Sequence, residues 1–101
     1  MINLEQNAES EQSDQKRLLL KIEDEIIVHF CELNGGMEFA MPIIRKQFEK
    51  HNVDFKNPSK KDLYKITDTL VEVTLSIKGE NVAREEKKIF KDLLLKLNGS
   101  E

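Results

Sequence analysis

A chain of 101 residues, 39% hydrophobic and 35% charged, has room for one domain and a modest core, which Leu, Ile, Val and its five Phe must fill because Trp is absent. A single cysteine, Cys31, excludes an internal disulfide and a cysteine-rich zinc site, and no apolar run is long enough to cross a bilayer. The net charge of −3 speaks against broad, non-specific affinity for nucleic acid.

The first residues, MINLEQNAESEQSDQ, have neither a basic start nor an apolar centre, so they do not read as a signal peptide, and a cytoplasmic protein is expected. Residues 1–12 offer only Ile2 and Leu4 as large apolar groups. That is too little to offset the entropy of ordering, so a disordered acidic tail is expected there, ahead of a helical domain over 13–99. From Ser13 onward the pattern changes. Leu19, Ile22, Ile26, Phe30 and Leu33 recur three or four residues apart, one stripe of an amphipathic helix over 14–33. Ile27 and Cys31 widen the stripe, and Asn34-Gly35-Gly36 ends the helix with residues that tolerate left-handed backbone.

The segment GGMEFAMPIIRKQF comes next. Proline belongs in the first turn of a helix, so Pro42 places the start of the second helix near residue 41, and the helix over 41–52 turns Ile43, Ile44 and Phe48 inward. Gly35 to Phe39 then form a connector whose apolar side chains are expected to cap the end of the core. The segment HNVDFKNP breaks the second helix and supplies Val53 and Phe55 as loop anchors.

Ser59 and Asp62 have the spacing of a capping box, and beyond them Leu63, Ile66, Leu70, Val73 and Ile77 form the stripe of a third helix over 60–78. The same region also alternates as a strand would, with Val71, Val73, Leu75 and Ile77 apolar between polar neighbours. Helix is favoured because the capping box starts an unbroken stripe and no partner strand exists; the rival is a mixed fold or strand pairing across a dimer. In the last helix, over 82–97, Val82, Ile89, Phe90, Leu93, Leu94 and Leu97 form a stripe interrupted by Glu86. The short Gly-Glu-Asn link forces the last two helices into an antiparallel hairpin. The expected fold is all-α, a single four-helix bundle-like domain.

Chemistry-bearing residues are few. His29 has Glu25 and Glu32 on its face of the first helix, a spacing that can hold a metal or orient an imidazole. It also lies between Ile26 and Phe30, which reads more simply as a half-buried histidine at a helix edge. Cys31 sits late in a helix beside Glu32, the wrong setting for a reactive thiolate. No Gly-rich phosphate loop is present. No catalytic, metal or cofactor residue is therefore assigned, and the chain is expected not to be an enzyme.

The expected role is that of a small regulatory or adaptor domain acting by protein–protein interaction. Met37, Phe39, Met41, Val71 and Leu75 lie off the best core stripes and are the candidate partner-binding residues; homodimerisation would bury them equally well. The alternative is a helix-turn-helix DNA-binding regulator. Residues 41–66 hold seven Lys or Arg against three acids, a local balance of +4 that leaves −7 elsewhere. Arg45, Lys46, Lys60, Lys61 and Tyr64 are the candidate nucleic-acid residues of that basic band. Against it stand the long second connection and the lack of arginine in the third helix.

Overall fold

In a computed structural model of the chain, residues 2–99 are described, with the side chains of 14–98. Four helices are present, α1 (Ile2–Leu33), α2 (Met37–Lys50), α3 (Lys60–Lys78) and α4 (Glu80–Gly99), and no strand occurs among the described residues. The disordered tail expected over 1–12 concerns residues whose side chains lie outside this description. Each helix packs on the next in sequence, α4 closes back on α1, and α1 meets α3 across the bundle. The fold is the all-α four-helix arrangement that the apolar spacing predicts.

The expected stripes make most of the core, but Ile89 of the expected α4 stripe is 40% exposed, and α3 shifts register beyond Leu70. Ile22, Ile26 and Phe30 of α1 meet Ala40, Ile44 and Phe48 of α2, Leu63, Ile66 and Leu70 of α3, and Phe90, Leu94 and Leu97 of α4. Beyond Leu70 the inward position of α3 passes to Thr74, fully buried, while Ile77 is 46% exposed. Alternation of Val71 to Ile77 therefore does not mark a strand. One helical face takes Leu70 and Thr74 inward and leaves Leu75 and Ile77 to the surface.

Helix α3 starts where its capping box places it. The Asp62 amide donates to Ser59 Oγ and the Ser59 amide donates to Asp62 Oδ2, each at 3.0 Å. Ser59→Ala removes one of these acceptors and should cost about 0.5–2 kcal/mol. A denaturant titration that shows no loss would mean that the box does not hold the helix end.

Five boundaries differ from expectation: α1 starts at Ile2, α4 runs from Glu80 to Gly99, and both ends of α2 move. Helix α2 begins at Met37, four residues early, and ends at Lys50, so the GGMEF connector is largely helix. Gly36, at φ 92°, starts it, with the Ala40 amide donating to the Gly36 carbonyl at 2.9 Å. Pro42 consequently lies inside the helix. It is exposed, so the carbonyl four residues back that it leaves without a donor lies on the solvent side. The α3–α4 link is Gly79 alone. Its amide closes α3 on the Leu75 carbonyl and its carbonyl accepts from Ala83, at φ 94°, a backbone state open to glycine at little cost.

The core-cap expectation for the connector fails for two of its side chains. Met37 and Phe39 are 60% and 58% exposed, because the early start of α2 turns them outward; Met41 alone packs partly against the core. Of the loop anchors, Val53 behaves as expected and Phe55 stays 42% exposed. Val53 is buried, and Phe55 lies 5.1 Å from Phe48, centroid to centroid.

Candidate functional site

The candidate partner-binding residues do not gather at one place. Met41 lines a hollow with Arg45, Phe48, Glu49, Val53 and Phe55. Val71 lines a different groove, between α3 and α4, with Tyr64, Asp68, Lys87 and Lys91. Leu75 is 46% exposed one helical turn beyond Val71. Met37 and Phe39 line neither hollow.

The basic band is likewise divided. Arg45 and Lys46 are exposed on α2, and Lys61 and Tyr64 on α3, with Lys60 half-buried. The connection between these helices runs from His51 to Ser59 and is anchored by buried Val53 and Pro58. That is longer than the tight turn of a helix-turn-helix. Asp62, in the first turn of the would-be recognition helix, is committed to the cap.

A further apolar surface lies between α1 and α4. Helix α1 presents Asp24, Glu25, Val28, His29 and Glu32 along one flank, and α4 answers with Ile89, Leu93 and Lys96, enclosing a groove of about 510 Å³. A second stretch of about 340 Å³ is lined by His29, Leu33, Asn81, Val82, Glu85, Glu86 and Ile89. His29 and Ile89 border both, so the two hollows adjoin along the helix pair and together make a channel-like surface. Its apolar members are open to contact: Val28 is 41% and Ile89 40% exposed. Its rim is acidic, with Asp24, Glu25, Glu32 and Glu85 against Lys96, which sits 3.8 Å from Glu25.

Sequence reasoning missed this surface. The signal was present in the doublets Ile89-Phe90 and Leu93-Leu94. Two adjacent apolar residues cannot both point at one neighbour, so one of each pair serves a second face. Val28, an apolar residue on the carboxylate-bearing side of α1, was the matching sign.

Below the channel lies an unusual set of buried polar groups. Glu86, the polar interruption in the α4 stripe, is fully buried, as is Thr74; Asn34 is 2% exposed. Asn34 Nδ2 donates to the Phe30 carbonyl at 3.0 Å and to Thr74 Oγ1 at 3.2 Å. Asn34 Oδ1 and both Glu86 oxygens have no hydrogen bond of good geometry among the described residues. Burial pushes the Glu86 carboxyl up to about 7, and nearby Thr74 offsets only part of that shift.

The His29 constellation does not assemble a metal centre. Its ring packs edge-on against Phe90 at 5.6 Å, and no cluster of His, Cys, Asp and Glu suited to a metal occurs among the described residues. Cys31 is buried, and burial pushes its thiol up, away from the reactive thiolate. No described helix is long and apolar enough to cross a membrane. Set against protein-family models, curated proteins and solved structures, the chain matches none.

Proposed function

We propose that the protein is a non-catalytic helical interaction module that receives a basic amphipathic helix of a partner protein along the α1–α4 channel. The observation that carries this reading is the combination of an apolar floor, exposed Val28 and Ile89 with partly buried Leu93, and a rim of four carboxylates of which Glu25 and Glu85 lie 3.8 Å from Lys96 and Lys88. An apolar stripe flanked by lysines or arginines complements both features. On α4 the channel extends from Asn81 to Lys96, about 22 Å at the helical rise, enough for roughly four turns of a docked helix.

A second copy of this chain fits the same surface poorly. A two-fold dimer through the channel would set its acidic rim against an identical rim, and like charges facing each other are unfavourable. The partner is therefore a different, basic segment.

The test uses a fluorescent 14-residue Leu/Lys amphipathic helix and its Leu/Glu counterpart. The basic peptide should bind the full chain, the acidic one should not, and Val28→Glu should weaken binding about tenfold or more, as loss of a central contact does. Leu75→Ser, on α3 and outside the channel lining, should leave binding unchanged. Equal binding to wild type and Val28→Glu, or none at several hundred micromolar, would remove this reading.

A further inference from the structure

Helix α2 carries a run at four-residue spacing, Met37, Met41, Arg45 and Glu49, along the flank beside its buried Ala40, Ile44 and Phe48. From Met41 to Glu49 this flank borders the hollow of about 590 Å³ that Val53 and Phe55 close from the following loop. Met37 is 60% and Phe55 42% exposed, so hydrocarbon is open at both ends of the flank, with the two charged residues between.

Glu49 is poorly placed for its own helix. It lies in the last turn of α2, where the helix dipole is negative and a cation is favoured. Arg45 precedes it by four residues, the weaker order for an ion pair within a helix. Neither residue forms an ion pair among the described residues. The two charges do fit a copy of themselves. When α2 pairs antiparallel with a second α2 about a two-fold axis, residues whose numbers add to a constant face each other. Setting Arg45 opposite Glu49 of the second copy then sets Glu49 opposite that copy's Arg45, so one contact is made twice. The same register brings Met41 over Val53 of the second copy, next to the ring pair of Phe48 and Phe55, whose centroids are 5.1 Å apart. A flexible thioether suits that place, because its sulfur packs favourably against aromatic rings.

We propose that this flank of α2 is a homodimer interface, the two α2 helices antiparallel with an Arg45–Glu49 pair on either side of the axis. The flank shares no lining residue with the α1–α4 channel, so the dimer and a docked partner helix do not compete for the same side chains. One helix pair is a small interface, of the kind that gives weak, concentration-dependent association.

Sedimentation equilibrium on the full chain from about 10 µM to about 1 mM tests the proposal, a range suited to an interface of that size. The weight-average mass should rise towards that of two chains. Arg45→Glu sets Glu against Glu and Glu49→Arg sets Arg against Arg, and each should raise the dissociation constant about tenfold or more. The two changes move the net charge in opposite directions, so a general charge effect cannot cause both losses. The double variant Arg45→Glu/Glu49→Arg reverses both pairs and should dimerise as the wild type does. An equimolar mixture of the two single variants should form a heterodimer, because every Glu then meets an Arg; that result also shows both variants to be folded. A wild type that stays monomeric throughout would overturn the proposal. So would a dimer that survives either single change, or single variants that do not associate when mixed. Peptide binding lost in Val28→Glu reports on the channel and mass lost in Arg45→Glu reports on α2, so the two readings fail separately.

Discussion

Glu86→Gln should make the protein more stable at pH 8, by about 3 kcal/mol, and should change stability little at pH 4. Burial holds the Glu86 carboxyl at about 7 in the fold against an ordinary 4.5 in the unfolded chain, so between these values the folded state binds the extra proton. Stability is therefore greatest below about pH 4.5 for this group and is lost as the pH rises through 7, and 2.5 pH units correspond to about 3 kcal/mol. Glutamine carries no charge at either pH, so the loss disappears in the variant. Glu23 has the same sign. It is 4% exposed and is pushed up to about 7, first by burial and then by Asp24 and Asp54. The wild type should thus lose stability twice over the same interval, and Glu86→Gln should remove one of the two losses. Urea titrations at pH 4, 6 and 8 measure this directly. A variant less stable than wild type at pH 8 would mean that the ionised Glu86 is compensated within the fold.

Phe90→Ala should cost about 3–5 kcal/mol, the range for removing a buried aromatic. Phe90 is 2% exposed in the core and supports the edge of the His29 ring. It also lies under the α3–α4 groove, so its loss leaves a cavity between the two most closely packed helices. Each kcal/mol moves the midpoint of a domain this size by about 4–8 °C, so thermal unfolding should shift by more than 10 °C. Leu95→Ala is the contrasting case. Leu95 is 49% exposed, and its truncation should stay within about 0.5 kcal/mol. Similar melting curves for the two variants would contradict the placement of α4.

Both expectations follow from the orientation of α4, and that orientation was only half legible in the sequence. Spacing alone identified Phe90, Leu94 and Leu97 as core, and Ile22, Ile26, Phe30, Leu63, Ile66 and Leu70 with them. These positions follow helical period, and a period of 3.6 leaves one face inward whatever the neighbours are. Ser59 and Asp62 were equally legible because a capping box is a local contact, complete within four residues. Pro42 misled, because the preference of proline for the first turn is a tendency that a solvent-facing helix side can override.

By itself, then, the sequence determined that there are four helices, the capping box of α3 and the main core stripes, all of which depend on residues close together along the chain. Tertiary structure decided everything that depends on which face meets which neighbour. It turned Phe39 outward and Thr74 inward, and it put Val28 of α1 beside Ile89 of α4 to open an acidic channel. It also changed what Glu86 is. In the sequence it is one polar residue interrupting an apolar stripe, the ordinary mark of a helix edge. In the bundle, α1 and α3 close over that edge, and a solvated carboxylate becomes a buried one that Thr74 only partly compensates, because desolvation is a property of the assembled helices and not of any one of them.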